Sequence, residues 1–186
     1  RQLGNKQQQE RQVLRVPYYR PMPNLHPGLP LRRSEAHLVR QIFNGLTRIN
    51  EENGEIEADL AHHWHSEDGR HWRFYLRPAV RFHDGRLLQM ADVIASLTRL
   101  QQNPLFAHLA AIRAQGERVI CIELSCDDLR LPWLLADVMA MILPADQQLR
   151  ADFASRPVGT GPYRVQENNR FHLHLVAFDD YFGWRA

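Results

Sequence analysis

The stretch from Asp68 to Leu97 reads DGRHWRFYLRPAVRFHDGRLLQMADVIASL, and it decides the fold class. Asp68-Gly69 is a tight-turn signal. Beyond it Trp72, Phe74 and Leu76 alternate with Arg73, Tyr75 and Arg77, a period of two that lays one face of a strand on a core and leaves the other polar. Val80 and Phe82 repeat the alternation before Asp84-Gly85 turns the chain again. Then the period changes: Val93, Ile94, Leu97 and Leu100 recur with the spacing of one helix face until Asn103-Pro104 ends it. Strand and helix follow one another here without strict alternation, which predicts an α/β fold with mixed sheets rather than a doubly wound parallel sheet.

Toward the N-terminus, the residues around Leu60 to Trp64 suggest a short helical piece, and Asn53-Gly54 is a strong hairpin-turn signal. Residues 46–50 read as a strand. Before them Ser34 is the expected cap of a helix whose inward stripe is Leu38, Val39, Ile42, Phe43 and Leu46, and this helix is expected to cover a first strand over residues 13–18. Pro21, Pro23, Pro27 and Pro30 make the intervening segment a stiff loop, and residues 1–12 read as a polar tail or linker. Toward the C-terminus, Ile120, Ile122 and Leu124 mark another half-buried strand. Pro132 starts a helix through Trp133, Leu134 and Val138, and Pro144 forces the chain out. Residues 163–166, a turn at Asn168-Asn169 and the alternating Phe171, Leu173 and Leu175 make a hairpin. No internal repeat is visible.

The chain has 186 residues, enough for one large domain or two small lobes, with 44% hydrophobic and 24% charged residues, an ordinary globular composition. Its most hydrophobic segment, residues 133–143, is interrupted by Asp137 and falls short of the roughly 20 residues a membrane-spanning helix needs. A net charge of +2 predicts no general affinity for nucleic acid. Lys6 is the sole lysine, so the positive charge is arginine, whose planar fork suits carboxylates and phosphates. The two cysteines, Cys121 and Cys126, are expected to be buried or half-buried thiols with no partner set for a thiolate metal site. A chain that begins at Arg1 is read as a processed or partial sequence.

Histidine is the loudest chemical signal: His62, His63 and His65 cluster, and His71 and His83 follow. A metal site on one face would need a continuous helix, which Gly69 argues against, so solvated imidazoles are expected and no metal or cofactor is assigned. Catalysis has no constellation behind it. Ser34, Ser66, Ser96, Ser125 and Ser155 all lie outside a Gly-x-Ser-x-Gly elbow, and Asp84, directly before Gly85, reads as a turn residue rather than the partner of His83 in acid–base work. Gly159-Thr160-Gly161 lacks the lysine of a phosphate-binding loop, and a close approach of two backbones accounts for both glycines. Arg32, Arg33 and Arg40 do not form a groove-reading helix.

Read in order, several segments resemble one family. They are Ile42-Phe43-Asn44-Gly45-Leu46, the Asn53-Gly54 turn, Ala58-Asp59-Leu60-Ala61-His62-His63-Trp64, Asp68-Gly69, and Trp72-Arg73-Phe74-Tyr75-Leu76-Arg77. Phe82-His83-Asp84-Gly85, Ala91-Asp92-Val93 with Ser96, Pro157-Val158-Gly159-Thr160-Gly161-Pro162-Tyr163 and Asp180-Tyr181-Phe182-Gly183 continue the match. The family is the peptide and nickel class (family 5) of ABC-transporter solute-binding proteins. Within it the wording of residues 40–43, 46–56, 61–64 and 92–97 is similar to a branch of transcriptional regulators of sugar-phosphate stress, which join a DNA-binding winged helix to a solute-binding domain.

The resemblance implies a periplasmic-binding-protein-like fold (class II, peptide-binding type) of two lobes, only partly covered by this sequence. It divides the chain into large-lobe parts 13–45 and 151–186 and a small lobe 46–150, with residues 1–12 as linker and each crossing a hinge candidate. It implies a cytoplasmic sensing module that binds a small metabolite, a sugar phosphate being the candidate, and acts on DNA through a domain absent from this chain. It puts Tyr18, Tyr19 and Arg20 at the ligand cleft, where aromatic rings and a guanidinium suit a polar, phosphorylated solute; the competing reading is a core Tyr18 and a solvated Arg20. Thr160 and Gly161 complete the candidate ligand-binding set; they sit near the interlobe crossing in the family, where the resemblance favours a hinge role over direct contact. The alternative is a periplasmic peptide- or nickel-binding receptor of an ABC transporter, which would bring membrane contact and require an upstream signal sequence.

Overall fold

A computed structural model describes residues 13–17, 24–147 and 150–183. Strands β1 (Val13–Pro17), β8 (Tyr163–Asn168) and β9 (His172–Ala177) form one antiparallel sheet in the order β1-β9-β8. Strands β2 (Thr47–Ile49) and β3 (Ile56–Ala58) form a two-stranded ribbon. A third sheet, in the order β4-β5-β7-β6, is built from β4 (Ala61–His65), β5 (His71–Leu76), β6 (Leu109–Gln115) and β7 (Val119–Leu124), antiparallel throughout. With helices α1 (Arg33–Ile42), α2 (Met90–Leu100) and α3 (Leu131–Leu134) the fold is mixed α/β.

The alternation in β5 does what its period predicts: Trp72, Phe74 and Leu76 are buried, Arg73 is exposed and Tyr75 half-buried. They share a core with Val93, Leu97 and Leu100 of α2 and with Ile120, Ile122 and Leu124 of β7. A second cluster gathers Leu25, Val39, Ile42, Phe43, Met141, Leu143, Phe153, Tyr163, Leu173 and Leu175 around the sheet β1-β9-β8. Burying apolar surface stabilises each cluster by about 25 cal/mol per Å².

Several elements differ from the sequence reading. Residues 61–65 form a strand, not a helical piece; Trp64 stacks on Phe74 with ring centroids 6.2 Å apart, and a register shift between Ala61 and His63 hides the period of two. Ser34 lies inside α1 and does not cap it. The cap is Arg32, whose backbone N–H donates to Glu35 Oε1 at 2.9 Å while Glu35 Oε2 accepts from Asn24 N at 2.7 Å, a carboxylate satisfying donors at a helix start. α1 packs on β8, and its Val39 and Ile42 lie in the cluster against which Leu14 of β1 also packs. Val80 and Phe82 are buried without strand pairing beyond a single bridge between Arg81 and Leu87. α3 ends at Leu134, and Val138–Ala140 is a separate 3₁₀ turn. Cys126 is exposed and Cys121 half-buried, both free thiols. No helix among the described residues is long and apolar enough to cross a membrane.

Candidate functional site

Chain crossings between the two apolar clusters meet in a strip of buried polar groups. α1 ends at Ile42 because Phe43 turns to an extended backbone, and this places Asn44 and Gly45 against the start of β4. Asn44 Nδ2 donates to Asp59 Oδ1 at 2.9 Å, and Gly45 N donates to Asp59 Oδ2 at 3.2 Å. On the other side Thr160 Oγ1 donates to Asn44 Oδ1 at 2.8 Å. Asn44, Asp59 and Thr160 are all buried, Thr160 completely. Each is bonded, as buried polar groups must be if they are not to cost about 1–3 kcal/mol apiece.

The segment from Gly159 to Gly161 runs directly over the C-terminal turn of α1. Gly161 N donates to Ile42 O at 2.8 Å. A Cβ at Gly161 would stand 2.5 Å from Ile42 C and 2.6 Å from Gln41 O, and one at Gly159 would collide with Ile42 O. Both glycines therefore serve close backbone approach. His83 clamps the same segment: its Nδ1 accepts from Gly159 N at 3.2 Å, its Nε2 lies 3.0 Å from Gly161 O, and its own backbone N donates to Gly159 O at 2.9 Å. These partners fix the tautomer with the proton on Nε2. Phe178 meets the ring edge-on at 4.8 Å.

Burial shapes the charges here. Desolvation pushes the Asp59 carboxyl up to about 7, against the pull of the Arg48 and Arg77 guanidinium groups and of its Gly45 and Asn44 donors. Desolvation also lowers the His83 imidazole to about 4; its bond to the Gly161 carbonyl and nearby Asp84 oppose that shift, and Arg164 adds to it. Asp59 lies at the floor of a cavity of about 520 Å³ walled by Arg48, Arg77, Tyr181 and Phe182. Arg77 Nε donates to Asp59 O at 2.5 Å and its guanidinium lies 5.5 Å from the centre of the Phe182 ring. Arg48 Nε is held by Glu57 at 3.0 Å. Tyr181 bonds Asn44, and burial beside Asp59 raises its phenol above the ordinary range.

Other contacts tie residues 141–146 to α2. Asp92, the acceptor at the start of α2, takes bonds from Gln89 N, Arg86 and Ala145 N, and Ser96 Oγ both accepts from Leu143 N at 2.9 Å and donates to Leu143 O at 3.3 Å. The arrangement holds segments together. The hydroxyls of Ser66, Ser96 and Ser155 each bond a backbone group, and both ring nitrogens of His83 face backbone groups.

Of the residues singled out from sequence, Tyr18, Tyr19 and Arg20 lie outside the described residues. Thr160 and Gly161 are brought together with Asn44, Asp59 and His83, buried and bonded within the chain. His62, His63 and His65 lie on β4, all three exposed. Asp84 is the turn residue expected of it: its Oδ1 accepts from Arg86 N at 3.1 Å, and Gly85 has a φ of 90°. Sequence reasoning missed Asn44 and Asp59 as a buried pair; the signal present was their appearance in two of the segments that carry the family resemblance. It also passed over Glu167, His172 and His174, whose nitrogen and oxygen atoms all lie within 4.8 Å of one another on the β8–β9 hairpin.

A sequence profile of bacterial extracellular solute-binding proteins, family 5 middle region, matches residues 55–186. The HTH-type transcriptional regulator SgrR of Yersinia enterocolitica serotype O:8 / biotype 1B is 58% identical over 185 residues, covering 100% of this chain and 34% of that protein. SgrR of Salmonella typhi is 56% identical over 184 residues, covering 99% of this chain and 33% of the regulator. The chain thus spans about a third of the length of these curated relatives. Among solved structures, the binding protein AgaA of A. tumefaciens R10, in complex with agropinic acid, superposes with a TM-score of 0.79 at 27% identity, over 88% of this chain and 35% of that one.

Proposed function

The chain belongs to the bacterial extracellular solute-binding proteins of family 5, and from that premise we propose that it is part of the solute-sensing module of a transcriptional regulator. The observation that carries this reading is identity of 58% to a DNA-binding regulator over the full length of the chain, combined with a fold whose neighbours grip solutes. In this reading a small polar metabolite, with sugar phosphates as the candidate class, shifts the module between open and closed arrangements. The attached DNA-binding domain reads the shift, and the protein works in the cytoplasm. Only a difference in affinity between the two arrangements can supply the energy.

The proposed layout assigns residues 13–45 and 151–186 to a large lobe and 46–150 to a small one, with residues 1–12 as a linker. Two separate apolar clusters support its outline, with Met141 and Leu143 packing in the cluster of residues 25–43 and 153–177 rather than with the rest of 46–150. Tyr18, Tyr19 and Arg20 are the proposed ligand contacts. Thr160 and Gly161 belong to the polar joint instead, since the Thr160 hydroxyl and the Gly161 amide and carbonyl are spent within the chain.

The test is calorimetric titration of the full-length protein with glucose 6-phosphate and related sugar phosphates, with small-angle scattering on the same samples. Saturable heat together with a smaller radius of gyration is expected, and both are expected to weaken in Arg20→Ala. A response to oligopeptides with none to sugar phosphates would overturn the reading in favour of a transport receptor.

A further inference from the structure

We infer that the outer face of the β8–β9 hairpin is a divalent transition-metal site whose ligands are Glu167, His172 and His174. Along β9, Leu173 and Leu175 point into the core and are completely buried, so His172 and His174 share the opposite face. Regular pairing would continue from Val165 opposite Leu175 to Gln166 opposite His174. A bulge instead sets Glu167 opposite His174, and so carries a carboxylate to the face that holds both imidazoles. Bulges commonly re-aim a side chain in this way.

The three donors converge on one point. Glu167 Oε1 lies 2.8 Å from His172 Nε2 and 3.6 Å from His174 Nδ1. The two rings are stacked, with centroids 4.3 Å apart and planes at 19°. Zinc bonds of about 2.0–2.2 Å in a tetrahedron separate neighbouring ligand atoms by roughly 3.3 Å, so the two carboxylate–imidazole distances lie within about half an ångström of that, and all the donor atoms are within 4.8 Å of one another. Two imidazole nitrogens beside one carboxylate oxygen are a donor set that a divalent cation takes up with both rings as neutral ligands.

The surroundings supply the outer support that ligating groups need. Asn169 Nδ2 donates to Glu167 Oε2 at 3.1 Å, while Asn169 Oδ1 accepts from Phe171 N at 2.7 Å and His172 N at 3.0 Å. One side chain therefore orients the carboxylate and fixes the turn that delivers His172. Side-chain exposures of 47% for Glu167, 40% for His172 and 23% for His174 leave all three groups within reach of solvent. Two nitrogens and one oxygen favour zinc, nickel or cobalt over magnesium or calcium, which prefer oxygen alone. Arg156 acts electrostatically on Glu167 from nearby and opposes a cation, and there is no thiolate in the set.

Cobalt titration of the full-length protein, followed by visible absorption and then by displacement with zinc, tests the assignment. One saturable, zinc-displaceable signal per chain is expected, lost in Glu167→Gln and in His172→Gln/His174→Gln, and kept in His62→Ala/His63→Ala/His65→Ala. Asn169→Ala is expected to weaken binding by about 10–100-fold, as loss of an outer-shell partner does. Glu167→Gln replaces a half-exposed group by one of the same shape, so its circular dichroism and unfolding midpoint should match the parent's. Absence of saturable cobalt binding, or binding unchanged in the Glu167 and His172/His174 variants, overturns the assignment.

Discussion

The inner face of the sheet β4-β5-β7-β6 and the polar joint around Asn44, Asp59, His83 and Thr160 both lie largely out of solvent but are held together by different physics. In the sheet, neighbouring strands interlock through apolar side chains, and any residue of similar volume and polarity would nearly suffice. In the joint nearly every group is a donor or acceptor with one assigned partner: Thr160 to Asn44, Asn44 to Asp59, His83 to Gly159 and Gly161. The first kind of burial tolerates change of identity and punishes loss of volume. The second tolerates neither a missing partner nor an added atom.

The largest expected effect lies in the sheet. Phe74 is completely buried between Trp64 and Trp72, and Phe74→Ala should cost about 3–5 kcal/mol in denaturant unfolding, with a leucine at the same position recovering much of the loss. If Phe74→Ala cost under 1 kcal/mol, the sheet would not be the apolar half of this comparison.

Next comes the added atom. Gly161→Ala drives a Cβ against the backbone of Ile42 and Gln41 and should cost about 1–3 kcal/mol or more, as overpacking does. Gly54→Ala, at a φ of 74° with nothing within 4 Å, should cost about 1–2 kcal/mol from backbone strain alone. Equal unfolding midpoints for Gly161→Ala and the parent would remove the close approach from the argument.

The smallest effect per step is electrostatic, and it separates the two buried ionisable groups. Asp59, raised from 3.8 to about 7, binds more protons folded than unfolded, so its contribution falls as pH rises through that window. His83, lowered from 6.5 to about 4, binds fewer protons folded, so its contribution is present above the unfolded value and is lost as pH falls toward 4. Each slope is at most about 1.4 kcal/mol per pH unit, and in the parent they largely cancel between pH ~4 and ~6.5. Asp59→Asn should leave stability rising with pH across that range, and His83→Gln should leave it falling. Parallel melting curves for the two variants across pH would show that the joint is not charged in the way described.

The same division governs what the sequence could reveal. β5, β7 and α2 were legible because burial of one face writes itself as a period of two or of 3.6, as in Trp72-Phe74-Leu76 and Val93-Leu97-Leu100. β4 was misread because a bulge between Ala61 and His63 breaks the period and because three exposed histidines resemble a polar helix face. The cap of α1 was misplaced because Glu35 performs it from inside the helix, a role Ser34 matches better by composition. In the joint there is no period to read. Asn44 and Asp59 are fifteen positions apart and Thr160 a further 101 along the chain; apart from the family resemblance of their segments, the doubled glycines at 159 and 161 marked the spot, as a close approach without a partner. The hairpin donors were hidden by the same bulge logic: alternation alone would have put Gln166, not Glu167, beside His174.

The pairing of β1 with β9 joins Val13 to Val176, and this has a consequence for the birth of the molecule. At about 5–20 residues per second of synthesis, β1 leaves the ribosome on the order of ten seconds before the strand that completes it exists. During that interval everything between them, including the whole of β4-β5-β7-β6, can settle by itself, whereas the first strand waits with its hydrogen-bonding edge open. For that interval the edge is a template on which another strand can pair.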